Sequence, residues 1–138
     1  MVVLILIIIT AMAVPQILST LYWYRLDSAV ASVVWAVQST RYEALMEGYP
    51  YQVTFSATNN TYQLASDPTN SGNFGNVGSS IPISGSGITL SGTNAIQFKP
   101  YGFVTPGANS SLSFQIKYQG LSKTVAVSNY GNVTVTSP

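Results

Sequence analysis

RYEALMEGYPYQVTF (41–55) holds the point at which the hydrophobic period of this chain changes. Up to Glu47 the apolar residues recur at three- and four-residue steps, the spacing of one stripe on an α-helix. From Tyr51 they alternate, the spacing of a strand with one buried face. Gly48 lies between, and glycine takes the left-handed conformation that closes a helix at no steric cost. Tyr49-Pro50 then imposes an extended exit, because the proline ring disfavours helical geometry in the residue before it. The stretch therefore reads helix, stop, strand, and it divides the chain in two.

Working back from Gly48, the stripe continues through Leu45, Ala44, Val37, Val33, Val30, Ala29, Leu26, Tyr22, Leu21 and Leu18. Arg25, Asp27, Ser28, Ser32, Gln38, Arg41 and Glu43 fall between these positions and face water. Ahead of them stands MVVLILIIITAMAV (1–14), apolar on every side except at Thr10, followed by Pro15. Pro15 removes one helix hydrogen bond and is expected to kink or loosen the helix there. The whole reads as one helix of about 45 residues, far above the usual globular length. Met1–Val14 alone covers about two thirds of a bilayer core, which needs roughly 20 apolar residues. It lacks the basic leader and small-residue cleavage pattern of a secretory signal.

Working forward, YQVTF (51–55) and TYQLA (61–65) flank the turn-prone SATNN and form a hairpin. Residues 66–87 are rich in Ser, Gly, Asn and Pro and read as a surface loop, with one extended piece at Ile81-Pro82-Ile83. Later strands are expected at 88–91, 95–99, 112–119, 123–128 and 132–136, the last three joined by turns at Gln119-Gly120 and Asn129-Tyr130-Gly131. The expected fold class is α+β, a long N-terminal helix packed on an antiparallel, β-rich globular head. Three parts follow: an apolar half-helix (1–21), an amphipathic half-helix (22–48) and the head (49–138).

The composition argues against chemistry. The chain has no histidine and no cysteine, so the commonest general base, the commonest metal ligand and any disulfide are missing. Five basic and four acidic residues, all between Arg25 and Lys123, leave a net charge of +1, which gives no broad attraction to nucleic acid or anionic lipid. Glu43 and Glu47 stand one helical turn apart and read as a solvated helix face near Arg41 rather than an acid–base pair. Asp67 falls in a loop. No Ser or Thr has a base beside it and no phosphate-cradling glycine loop is present. No enzyme activity, metal or cofactor is expected.

An apolar N-terminal helix, a proline near its midpoint, an amphipathic second half and a β-rich head together resemble the type IV pilin-like family. RYEALMEGYPYQVTF (41–55) is similar to the helix end and first strand of its H-type pseudopilin (GspH/FimT-type) head domain, which often shows R-x-E-A and G-x-P-V. IQFKPYGFVTPG (96–107) and LSKTVAVSNYGNVTV (121–135) are similar to that domain's closing strands, with I-x-F-x-P-x-G and a terminal G-x-V. The resemblance spans the chain. It implies storage in the inner membrane, then self-assembly into a helical extracellular filament on a bacterial surface, served by pilus or type II secretion machinery. Two other roles it implies are a minor pseudopilin of a type II secretion pseudopilus and a DNA-uptake subunit. The residues expected to build the filament core are Met1, Val2, Val3, Leu4, Ile5, Leu6, Ile7, Ile8, Ile9, Met12, Val14, Pro15, Ile17, Leu18 and Leu21.

The family usually carries further residues, one of them acidic, before such a stretch, and about six or seven would complete a bilayer span. Here position 5 is Ile5, so the numbering is expected to begin inside the usual mature sequence, the alternative being a shortened subunit. DNA-binding relatives use basic residues around the terminal G-x-V; GNVTVTSP (131–138) has none, and Lys117 and Lys123, expected near each other across the Gln119-Gly120 turn, neutralise few phosphates. Tyr22, Trp23, Tyr24 and Trp35 are expected to pack in the helix–sheet seam or between subunits. Asn59, Asn109 and Asn132 each begin an Asn-x-Ser/Thr glycosylation acceptor.

Overall fold

The computed structural model describes residues 1–138. A single helix, α1 (Val2–Glu47), precedes nine strands: β1 (Tyr51–Ser56), β2 (Thr61–Ser66), β3 (Gly75–Pro82), β4 (Thr89–Leu90), β5 (Asn94–Phe98), β6 (Val104–Pro106), β7 (Ser113–Tyr118), β8 (Leu121–Val127) and β9 (Val133–Thr136). Gly48 ends α1 at φ 77°, its amide donating to the Ala44 carbonyl at 3.2 Å. The strands form two antiparallel sheets, ordered β3-β2-β1-β5-β6 and β4-β7-β8-β9. The α+β class holds.

Both sheets close on one side of α1. Leu26, Ala29, Val30, Val33, Ala36, Val37, Thr40 and Ala44 are buried against β1 and β5 of one sheet and β7 and β8 of the other. The strands meet them in strict alternation: Tyr51, Val53 and Phe55 of β1, Ile96 and Phe98 of β5, Phe114, Ile116 and Tyr118 of β7 point inward. Each large apolar side chain so buried contributes about 1.5–3 kcal/mol relative to exposure. Thr40, polar but fully buried, donates its hydroxyl to the Ala36 carbonyl at 2.6 Å and so leaves nothing unpaired. Gln119 and Gly120 both have positive φ, making the two-residue turn that matches hairpin twist between Tyr118 and Leu121.

Four local expectations need correction. Leu18, Leu21 and Leu45, read as part of the buried stripe, are exposed, because the head covers α1 only between Leu26 and Ala44. Residues 75–82 form β3, an edge strand, within the stretch read as loop. Every residue of β3 is exposed, so no apolar alternation marks it. Its register skips opposite Gln63, where Gly78 takes φ 71° and the Gln63 amide donates to the carbonyls of Leu64, Val77 and Gly78. That bulge distorts the edge, a device that discourages pairing with a second sheet. The short strand β6 was not expected, because G-F-V-T-P-G reads as turn. Lys117 and Lys123 lie on opposite faces of the β7–β8 ribbon, because Lys117 stands opposite Ser122 and Ile116 opposite Lys123.

Denaturant titration separates the two classes of large side chain. Phe98→Ala, at 1% exposure, is expected to cost about 3–5 kcal/mol. Trp35→Ala, at 61% exposure, is expected to change stability by no more than about 0.5 kcal/mol.

Candidate functional site

From Met1 to Leu21 the helix touches no other part of the protein that would cover it. Ile5, Leu6, Ile7, Ile8, Ile9, Val14 and Ile17 are all more than half exposed, and α1 is long and apolar enough to cross a membrane. The polar side chains in this half are turned back on the helix. Thr10 donates to Leu6 and Ile7 carbonyls at 2.9 and 3.0 Å, Ser19 and Thr20 to the Gln16 carbonyl at 2.9 and 3.0 Å. A hydroxyl satisfied this way is tolerated in lipid or in a dry helix bundle. The helix is continuous through Pro15, whose missing amide leaves the Ala11 carbonyl without its usual donor.

The uncovered surface does not end where the head begins. Val3, Ile7, Thr10, Val14, Ile17, Leu21, Tyr24, Ser28, Ala31, Trp35, Gln38, Tyr42 and Leu45 follow one another at steps of four and three without a break, and all are exposed. Along 24–45 these positions mark out the uncovered face, a seam at the spacing with which one helix presents knobs to another; along 1–21 every side of the helix is uncovered and they continue that face. Over 24–45 it lies about 170° around α1 from the stripe that binds the head, so folding of the subunit leaves it bare. Tyr24, Trp35 and Tyr42 are more than 60% exposed. At its upper end the seam borders a groove of about 460 Å³ lined by Gln38, Arg41, Tyr42, Leu45, Gly131, Asn132 and Val133. Gly131 has φ 82°, a left-handed conformation that favours glycine, and the end of the Arg41 side chain lies over it.

The helix is clamped to the head where its bare half begins. Arg25 donates to the Tyr118 hydroxyl at 2.8 Å, Tyr22 meets the Tyr118 ring edge-on at 5.7 Å, and Lys123 pairs with Asp27 while lying 5.7 Å from the Trp23 ring. Of the four helix aromatics, Tyr22 and Trp23 thus contribute to the seam with the sheet, whereas Tyr24 and Trp35 face outward. Glu43 and Glu47 form no ion pair with Arg41; the ion pair in the structure joins Lys123 to Asp27. Asn59, Asn109 and Asn132 lie on exposed turns.

Asp67 is 1% exposed and sits in a turn just after β2. Burial alone would raise its pKa. The amides of Gly72 and Ser71 and the hydroxyls of Thr69 and Ser71 outweigh that and hold the carboxyl below the usual range. Burial, followed by the hydrogen bond with Tyr49, pushes the Tyr51 hydroxyl upward.

A family model described as "Type II transport protein GspH" matches residues 29–131. The chain belongs to the GspH family. Among solved structures, the minor pseudopilin EpsH from the type 2 secretion system of Vibrio cholerae has the same fold: TM-score 0.60, 12% identity, 83% of this chain and 98% of that chain covered. No curated protein matches. This GspH-family protein is a pilin-like filament subunit, and the family is a structural one rather than a class of enzyme.

The low pKa of Asp67 sets a sign for pH. Its stabilisation of the 67–74 loop is fully present above the ordinary carboxyl pKa, about 3.9, and is lost as pH falls through the lower folded value. Hydrogen exchange at the Gly72 amide is expected to be slow at neutral pH and to lose protection below that range, while Asp67→Asn weakens protection at neutral pH and removes its pH dependence.

Proposed function

We propose that this chain polymerises with copies of itself, through α1, into a type IV pilus-like filament displayed on the bacterial surface after storage in the inner membrane. The observation that carries this reading is the seam of exposed side chains running without interruption from Val3 to Leu45. In water, burying one such Leu, Ile or Val side chain is worth about 1.5–3 kcal/mol. Starting from lipid the apolar gain largely cancels, and close side-chain packing between helices decides the outcome.

The heads restrict how the helices meet. Parallel copies in register would drive head against head, so neighbours must be staggered along the axis. The bare half (2–21) is about 30 Å long and the outward seam of the clamped half (24–45) about 32 Å, at 1.5 Å per residue. One copy's bare half therefore fits along another copy's clamped half. Registers of three or four whole heptads keep seam against seam, with offsets of about 32 or 42 Å, and set Val14 against Trp35 or Tyr42 of another copy. Such head-to-tail contacts do not close on themselves and give an open helical polymer. Met1 to Leu21 supply the dry centre, and the gap at Pro15 lets the helix adjust as it packs.

The family's description as a type II transport protein and the likeness to EpsH support a second reading, a minor pseudopilin that uses the same seam to join other pseudopilins in a secretion pseudopilus. Catalysis and DNA uptake have no comparable support.

The chain has no cysteine, which makes disulfide mapping clean. In membranes of cells assembling the fibre, Val14→Cys combined with Trp35→Cys or Tyr42→Cys is expected to give a ladder of oxidised multimers. Val14→Cys combined with Asn76→Cys, on the distant edge strand, is expected to give none. A product linked only through Val14→Cys to itself would mean unstaggered helices and would contradict the proposal. Pro15→Ala should give stiffer, more regular fibres; unchanged helical order would remove the role assigned to Pro15.

A further inference from the structure

The outer face of the five-stranded sheet, away from α1, carries a groove of about 500 Å³. Its floor is made by Gln52 and Thr54 of β1 and Ala95 and Gln97 of β5, the residues that alternate with the buried ones. One wall is Gly72 and Phe74 and the other Ala108–Ser110. Both walls are fixed before any ligand arrives. The Asp67 carboxylate ties down the first through Thr69, Ser71 and the Gly72 amide. The second is joined to β5 by the Gly107 amide to the Ala95 carbonyl at 2.8 Å and by the Ala95 amide to the Ser110 hydroxyl at 2.9 Å. A Cβ on Gly107 would stand 2.6 Å from that of Ala95, so this loop lies as near the sheet as a backbone allows.

Two features of the lining point to a ligand. Phe74 is half-buried yet stands outside the hydrophobic core, and it lines the groove. Along the floor, the Gln97 amide donates to the Gln52 carboxamide oxygen and the Gln52 amide to the Thr54 hydroxyl, both at 3.0 Å. The chain leaves the Gln97 carboxamide oxygen, the Thr54 hydroxyl proton and one N–H of each amide free. The floor is therefore an oriented row of neutral donors and acceptors beside an aromatic ring.

No residue lining the groove is charged, so a phosphate, a nucleotide or a sulfated sugar finds no counter-charge. An apolar peptide would bury the amides without partners, which is costly. A pyranose fits both features: its hydroxyls donate and accept, and the C–H face of its ring carries the positive edge that an aromatic face attracts. The volume accommodates about two rings. We propose that this groove is a binding site for a neutral oligosaccharide, giving the exposed head a carbohydrate-recognition function. The inference stands on the head alone and does not depend on the mode of polymerisation.

The test uses the full-length chain in phosphocholine micelles, free of sugar-based detergent. The chain is made without Asn-linked glycan because Asn109 lies in the lining. Maltotetraose, cellotetraose and tetra-N-acetylchitotetraose are titrated separately and followed by the side-chain amide resonances of Gln52 and Gln97 and the ring of Phe74. The expected result is saturable binding of at least one probe at millimolar or tighter affinity, weakened about tenfold or more by Phe74→Ala and by Gln97→Ala. Thermal melting should be unchanged in Gln97→Ala, a surface substitution that separates lost binding from lost folding. No saturable shift with any probe up to about 10 mM would overturn the proposal. Binding that both substitutions leave intact would overturn it equally.

Discussion

The stripe from Leu26 to Ala44 is the surface against which both sheets close, and it occupies only one side of a helix that is apolar or aromatic on the other side as well. That conflict governs the molecule. A 138-residue chain with one helix can satisfy one face of it by folding. The apolar half from Met1 to Leu21 is left to lipid or to other helices, and the proposed assembly extends that contact to Leu45. The clamp formed by Tyr22, Arg25 and Asp27 with Tyr118 and Lys123 marks where the first solution ends. On the proposed function, fold and assembly are two consequences of one hydrophobic pattern, divided between the inside of the subunit and the inside of a filament.

The helix, its end at Gly48, the β1–β2 hairpin and the β7–β8–β9 meander were legible because each carries a strong local signal: a 3.6-residue period, a left-handed glycine, or alternation flanked by turn residues. β3 and β6 were not. β3 buries nothing, so it has no pattern to read, and its bulge over Gln63 depends on a side chain far away in sequence. The division into two sheets was illegible for a related reason, since alternation tells which side chains face inward but not which layer supplies them.

The assembly surface was half legible. The bare apolar segment stands out by composition alone. Its continuation through Tyr24, Ala31, Trp35 and Tyr42 follows a heptad spacing that is also present in the sequence, but the buried stripe on the opposite side has nearly the same period. Only the accessible surface tells the two apart. The groove over β1 and β5 had no sequence signal: Phe74 sits in a stretch dominated by Gly, Ser and Asn, and only the Asp67-centred turn brings it to the sheet.

The most direct measurement is electron microscopy of material sheared from cells, with intact-mass analysis of its dominant band. Self-polymerisation through α1 predicts abundant thin fibres built of this chain, with contacting helices offset by about 32 or 42 Å in the helical reconstruction. Fibres in which this chain is absent or a trace component, with the bulk of it left in the membrane fraction, would contradict the account.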